Sequence, residues 1–305
     1  MQPESRREGL ALERRDGGIL AVRFAAMASP CEVLLESNDL SLAAHIGRIV
    51  ADEAWRIEDK FSRYRDGNML ARINGSQGQP VKLDAETTLM IDFAEQCYIL
   101  SEGRFDITSG VLRRVWHFDG SDRVPEASAV EALLPLIGFD RLKWDPPFLT
   151  LPAGMEIDFG GIGKEFAVDR AVELAMQKTD APLLVNFGGD LRATATPKSG
   201  SWRVGIERPE EIGIAALLLG LSSGGLATSG NTRRYLLRDD VRFGHILDPR
   251  TGWPVTGAPR SITVAAGTCL EAGMLATMSL LYGPDARQLL DDAGVAYWCA
   301  DEWID

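Results

Sequence analysis

The chain has 305 residues, enough for one large or two modest domains whose core needs no disulfides. Acidic residues outnumber basic ones by 44 to 32, and the net charge is −12. Bulk electrostatic binding to nucleic acid or anionic lipid is therefore excluded, because both need a basic face. With 45% hydrophobic and 25% charged residues, the composition is typical of a globular protein rather than of a disordered or fibrous one.

The N-terminal residues lack targeting features. No apolar stretch follows Arg6 and Arg7, and no run reaches the roughly 18 apolar residues of a membrane span, so we expect a cytoplasmic protein. We predict a mobile polar leader over residues 1–18 and a single domain over 19–305, which allows a division into two lobes. The four cysteines are scattered singly, and this disfavours a zinc knuckle.

Strand and helix patterns alternate irregularly in the first half. Strands are predicted at 19–24 and 31–36, joined by a hairpin. Helical spacing follows at 40–60, capped by Asp39 or Ser41, then from Asp84 to Gly103, and from Pro125 to Gly138.

The second half contains a strand that runs directly into a glycine turn. Strands are predicted at 148–151 and 155–159, the turn at 160–164 and a helix at 165–177. The remaining predictions are strands at 183–187, 202–206, 215–221 and 261–265 and a helix at 270–282. Because strands and helices do not alternate regularly, the pattern favours an α+β fold.

The turn Gly160-Gly161-Ile162-Gly163-Lys164 matches neither the Walker A spacing nor GxGxxG. By itself it is as compatible with a structural turn as with a binding site. A glycine turn before a helix presents backbone N–H groups and the positive end of the helix dipole, and Lys164 adds a charge. The position therefore suits a phosphate.

Other polar clusters have plain explanations when taken one at a time. Asp106 can cap a turn, Asn186–Asp190 is a glycine turn at a strand end, and Asp248–Gly252 has good turn chemistry. His245 is one of three histidines, and a lone histidine more often has a structural hydrogen-bonding role.

Together, seven segments in this order resemble the FAD:protein FMN transferase family, also called ApbE flavin transferases, over about residues 24–283. They are Phe24-Ala-Ala-Met-Ala-Ser-Pro-Cys31, Phe61-Ser-Arg-Tyr64, Gly103-Arg-Phe-Asp-Ile-Thr108, Asp158-Phe-Gly-Gly-Ile-Gly-Lys164, Asn186-Phe-Gly-Gly-Asp190, Ala227-Thr-Ser-Gly230 and His245-Ile-Leu-Asp-Pro-Arg-Thr-Gly252.

The resemblance implies a mixed-sheet ApbE-like α+β fold with helices packed on the sheets. It also implies an enzyme that cleaves the pyrophosphate of FAD and transfers FMN to a Thr or Ser hydroxyl of a target flavoprotein. AMP is released and Mg²⁺ is used. Such phosphoryl transfer depends mostly on positioning and charge neutralisation.

Site residues follow from the same resemblance. His245 corresponds to the family's general base, a role that an imidazole of ordinary pKa suits at neutral pH. The implied flavin-nucleotide residues are Met27, Tyr64, Arg104, Phe105, Asp106, Gly160, Lys164, Phe166, His245 and Ile246.

The metal site departs from the family pattern. Members have Ala-Asp followed four residues later by Thr, whereas this chain has Ala272, Gly273 and Thr277. Thr277 and the carbonyl of Gly163 remain as implied ligands. Three alternatives stay open: a weaker site held mainly through substrate phosphates, a carboxylate from elsewhere, or flavin binding without turnover. If the site is merely weakened, Gly273→Asp should lower the Mg²⁺ requirement.

Two other functions therefore compete with transfer. One is a flavin-binding member with little or no transferase activity, suggested by Gly273. The other is a Mg²⁺-dependent FAD pyrophosphatase, in which water replaces the protein hydroxyl.

Overall fold

A computed structural model describes residues 9–208, 211–231 and 234–300. The α-helices are α1 Leu40–Phe61, α2 Met69–Asn74, α3 Ala85–Leu100, α4 Ala127–Glu131, α5 Gly163–Met176, α6 Cys269–Leu281 and α7 Ala286–Ala293. The strands are β1 Ala11–Arg15, β2 Ile19–Ala26, β3 Ser29–Glu36, β4 Pro80–Lys82, β5 Lys143–Asp145, β6 Phe148–Thr150, β7 Leu183–Phe187, β8 Asp190–Ala193, β9 Trp202–Arg208, β10 Glu211–Leu221, β11 Gly224–Gly230, β12 Tyr235–Arg238, β13 Val241–Gly244, β14 Ser261–Ala266 and β15 Ala296–Ala300.

The main sheet has eight strands in the order β1-β2-β3-β7-β8-β11-β14-β15. Its paired strands all run antiparallel. Two-residue turns join β2 to β3 and β7 to β8, and a connection this short can link only antiparallel neighbours. The α+β class is confirmed, but the sheet is antiparallel rather than mixed.

Three helices cover one face of this sheet side by side. α1 packs on β2 and β3, α5 on β7 and β8, and α6 on β11 and β14, so α5 lies between the other two. The opposite face is covered by the β9–β10 hairpin, where Trp202 and Leu221 bury their side chains against Leu226. Among the described residues, no helix is both long and apolar enough to cross a membrane.

The predicted leader is wrong over residues 11–18. Ala11–Arg15 is an edge strand paired with β2, and a 3-10 turn at Asp16–Gly18 connects the two. The strand is polar because it lies at the sheet edge, where Arg15 pairs with Glu32 and Arg23 with Glu13. Residues 1–8 lie outside the described residues.

Two further predictions fail for identifiable reasons. The helix predicted from Pro125 to Gly138 is only α4 plus one 3-10 turn at Leu134–Leu136, because Pro135 lacks the N–H that would donate to the Glu131 carbonyl and continue α4. Residues 155–159 form no strand. Their backbone bonds elsewhere: Ile157 N–H donates to Asn74 Oδ1 and Asp158 N–H to the Ile107 carbonyl.

Asp169 fixes the start of α6 against α5. Its carboxylate accepts from the backbone N–H groups of Cys269 at 3.0 Å and Leu270 at 2.9 Å. Arg192 on β8 donates to the same carboxylate at 3.1 Å. These contacts satisfy N–H groups that a helix start leaves without partners, and they tie α5, α6 and the sheet together.

We expect Asp169→Ala to lower the free energy of unfolding by about 1–3 kcal/mol, because two backbone donors lose their acceptor where they are shielded from water. Urea denaturation measures the change. Glu173→Ala, one turn further along α5 and exposed, is the matched control and should stay within about 0.5 kcal/mol of wild type. Equal stabilities for both variants would contradict the capping role.

Candidate functional site

The glycine turn at 160–164 connects the irregular segment 155–159 to α5. Asp158 accepts from the Gly160 N–H at 3.0 Å, and the Gly163 N–H donates to the Phe159 carbonyl at 2.7 Å. No side chain caps α5 at its N-cap, Ile162. The first turn of α5 therefore keeps backbone donors without a capping partner, as the sequence predicts for an anion site.

Lys164 points toward the strands rather than into open solvent. Its Nζ lies 2.5 Å from the carboxylate of the buried Asp190 on β8. Burial alone would lower the pKa of Lys164, but the Asp190 carboxylate outweighs it and the pKa is raised, so the ammonium stays charged. A Cβ on Gly188 would lie 2.6 Å from Ser29 Cβ and 3.8 Å from Nζ, so the Met27 hairpin adjoins this lysine.

Phe105 and Thr277 meet at the turn. A Cβ on Gly161 would lie 2.9 Å from the Phe105 ring and 3.7 Å from the Thr277 methyl group. Phe105 is buried, as is Phe166 in the first turns of α5. The close approach requires glycine at 161, and it brings together three segments that are far apart in sequence.

Thr277 also contacts a residue that the sequence analysis did not select. Its hydroxyl is 2.7 Å from the hydroxyl of Ser229 on β11. Ser229 lies inside the Ala227–Gly230 segment, but nothing in that segment indicates which of its hydroxyls faces α6.

Glu165 occupies the space beside Gly273. A Cβ on Gly273 would lie 2.5 Å from Glu165 Cγ and 3.0 Å from both Cδ and Oε1. Burial, and next to it the Asp190 carboxylate, raise the pKa of Glu165. The expectation for Gly273→Asp must be revised, because aspartate at 273 collides with Glu165. Sequence reasoning missed this residue, since helical spacing does not show what lies opposite it.

Asp106 is engaged within the protein. Oδ1 accepts from the Thr108 N–H and hydroxyl at 2.8 and 2.6 Å, and Oδ2 accepts from the Phe139 N–H at 2.9 Å. The predicted cap is confirmed. These bonds hold the segment that presents Phe105.

Tyr64 is strongly exposed, with 79% of its surface accessible. The guanidinium of Arg63 lies 5.0 Å from its ring centroid and donates to its hydroxyl at 2.8 Å. Arg63 also pairs with Asp158, which links this ring to the glycine turn. An exposed ring held this way can stack on a flat ligand.

Arg104 lies at the other side of the site. Its guanidinium is 4.2 Å from the ring centroid of Tyr282, which follows α6. Burial would raise the pKa of Asp248, but pairing with Arg250 outweighs burial and the pKa is lowered. The positive charge of Arg104 contributes to this lowering. Arg104 is therefore close enough to the His245–Gly252 segment for its charge to act on Asp248.

His245 has an environment that the sequence did not reveal. Burial, followed by the positive charge of Arg234, lowers the pKa of His245 to about 4. Among the described residues its Nδ1 is buried without a hydrogen-bond partner, and the Phe118 ring packs edge-on at 6.3 Å. The next residue, Ile246, donates its N–H to Asn231 Oδ1 at 3.1 Å. The imidazole is thus neutral at pH 7.

The implied metal residues suit a hard cation in their chemistry. Glu165 Oε2 is buried and lacks a hydrogen-bond partner among the described residues. Glu165 faces Gly273, one turn of α6 before Thr277, whose hydroxyl is 2.7 Å from that of Ser229. Mg²⁺ prefers oxygen ligands and retains waters, so it does not need an all-protein cage. Within the described part of the chain, no group of three or more His, Cys, Asp or Glu side chains forms a metal cluster.

Comparison with known proteins places the chain in the flavin-transferase class. The ApbE family model matches residues 27–298, and the chain belongs to this family. It is 28% identical to the FAD:protein FMN transferase of Haemophilus influenzae, covering 88% of this chain and 87% of that one, and 29% identical to that of Klebsiella pneumoniae, covering 88% and 83%.

Solved structures agree with this assignment. The ApbE protein of Thermotoga maritima superposes with a TM-score of 0.83 at 29% identity, covering 93% of this chain and 97% of that one. The apo flavinyl transferase ApbE of Pseudomonas stutzeri gives 0.80 at 26% identity, covering 94% and 90%. The family resemblance read from the seven segments is therefore confirmed.

We expect the imidazole of His245 to stay neutral from pH 8 down to pH 5, since its pKa is lowered to about 4. NMR of ¹³C-labelled histidine reports each ring's titration. His45 on α1 is exposed and provides a second labelled ring in the same sample. A His245 resonance that titrates between pH 8 and pH 5 would contradict the buried environment.

Proposed function

We propose that this protein is an FAD:protein FMN transferase that moves FMN from FAD to a Thr or Ser hydroxyl of a target flavoprotein. The main support is the contact of Phe105 and Thr277 with the glycine turn that carries Lys164, in a chain of the ApbE family. A flat ring, a charged pyrophosphate and a hard cation each find matching groups there.

Substrate binding divides between two sides of the turn. Tyr64 and Phe105 supply rings for the flavin nucleotide, Arg104 supplies a positive charge, and the first turn of α5 supplies backbone donors for a phosphate. Lys164 adds a charge that Asp190 holds in place. Because Asp190 is buried, it fixes the ammonium in one position before substrate binds, which favours transfer through preorganisation.

In the transfer step the acceptor oxygen bonds to the phosphorus of the FMN half while the bond to AMP breaks. His245 accepts the hydroxyl proton, and AMP leaves with the bridging oxygen. A neutral imidazole has the lone pair that this requires, although its lowered pKa makes it a weaker base than an ordinary histidine. Mg²⁺, when bound, neutralises charge on the phosphate oxygens.

Incubating the purified protein with FAD, Mg²⁺ and a candidate acceptor flavoprotein tests the proposal. Mass spectrometry of the acceptor should show a gain of one FMN, and chromatography should show an equal amount of AMP. Free FMN plus AMP, with no change in acceptor mass, would assign the pyrophosphatase reaction instead. Unchanged FAD that stays bound would assign a flavin-binding member.

We expect His245→Gln to lower the rate of transfer by about 10²–10⁴-fold, the usual contribution of a general base, while FAD binding changes little. Stopped-flow AMP release gives the rate, and quenching of FAD fluorescence gives the affinity. The exposed His45→Gln is the control and should behave as wild type. Normal transfer by His245→Gln would remove this residue from the mechanism.

A further inference from the structure

The packing of α5 on α6 explains why glycine stands at position 273. The two helices run antiparallel with a repeating register: Gly161 faces Thr277, Glu165 faces Gly273, and Asp169 faces the start of α6 at Cys269. Moving four residues toward the C-terminus of α5 reaches a residue whose partner lies four residues nearer the N-terminus of α6. Glu165 therefore lies between the capped end of α6 and Thr277.

Glu165 and a side chain at 273 exclude each other. At 2.5 Å from Glu165 Cγ, a Cβ at 273 is closer than carbon atoms tolerate, and Cδ and Oε1 at 3.0 Å leave little room for adjustment. The carboxylate of Glu165 thus fills the volume that an aspartate at 273 would occupy. One carboxylate fits between these helices, and here it comes from α5.

The buried carboxylate lacks the partners that its burial calls for. Only 6% of Glu165 is exposed, and Oε2 has no hydrogen-bond partner within the described part of the chain. The adjacent Lys164 attracts Glu165 electrostatically, but its Nζ forms its ion pair with Asp190. An ionised carboxylate left in this state costs free energy, and either a proton or a bound cation relieves that cost.

From this geometry we propose that Glu165 replaces the aspartate missing at position 273 as the carboxylate ligand of the metal ion, acting with Thr277. The proposal rests on the proposed transferase function for its metal and substrate. It selects the second of the three alternatives that the sequence left open. The carboxylate thus comes from α5 instead of α6 but occupies the same volume between the two helices.

Electron paramagnetic resonance measures Mn²⁺ binding and tests directly whether Glu165 is a ligand. FAD is present in each sample, and the signal of FAD with Mn²⁺ alone is subtracted. Mn²⁺ takes the same oxygen ligands as Mg²⁺. We expect Glu165→Gln to weaken Mn²⁺ binding by at least about tenfold, since loss of even an outer-shell partner commonly costs 10–100-fold. Glu271→Gln, an exposed glutamate on α6, should leave the affinity unchanged.

A double substitution separates a ligand from a structural residue. Glu165→Ala with Gly273→Asp returns one carboxylate to the same volume, and we expect it to bind Mn²⁺ at least about tenfold more tightly than Glu165→Ala alone. Gly273→Asp alone should lower the thermal midpoint through crowding. FAD fluorescence quenching confirms that each variant still binds the substrate.

Unchanged Mn²⁺ affinity in Glu165→Gln, or wild-type protein that adds no Mn²⁺ binding to that of FAD, would overturn the proposal. So would a double variant no better than Glu165→Ala. These outcomes differ from failure of the proposed function. Wild type that binds Mn²⁺ through Glu165 but forms no AMP would refute transfer and leave the ligand assignment standing.

Discussion

The antiparallel contact between α5 and α6 is the constraint on which the rest of the site depends. Asp169 holds the N-terminus of α6, and the close approach at Gly161 holds the other end beside Phe105 and Thr277. Both helices also rest on the main sheet, so their spacing cannot relax without moving strands. The glycine turn has a fixed environment because this helix contact holds Phe105, Glu165 and Thr277 in place around it.

Electrostatics near the turn follow from burial rather than from the overall charge. Asp190 is almost fully buried and keeps Lys164 charged, whereas burial and Arg234 keep His245 neutral. A chain with a net charge of −12 thus has a local cation at Lys164 and an uncharged imidazole at His245. The net charge of the chain determines which large charged partners are excluded. Burial determines the protonation state of an individual side chain.

Much of the fold was readable from local patterns. The β2–β3 hairpin, α1, α3, α5 and α6 appear close to their predicted bounds, because each has its own periodicity and caps. The strand predicted at 155–159 was wrong because the alternation of apolar and polar residues there reflects burial against distant segments. β1 was missed because an edge strand can be polar. The site motifs were found through family resemblance, but Glu165 and Ser229 depend on contacts between helices and sheet that no local signal encodes.

The shared volume at Glu165 and Gly273 also constrains how such a chain can change over time. Neither position can be exchanged freely while the other stays fixed: adding a side chain at 273 first crowds the helix contact, and shortening Glu165 first empties it. A comparison that inspects one alignment column at a time would score glycine at 273 as a lost ligand. The two positions have to be inspected as a pair, because on the proposed assignment the carboxylate at 165 takes the place of one at 273.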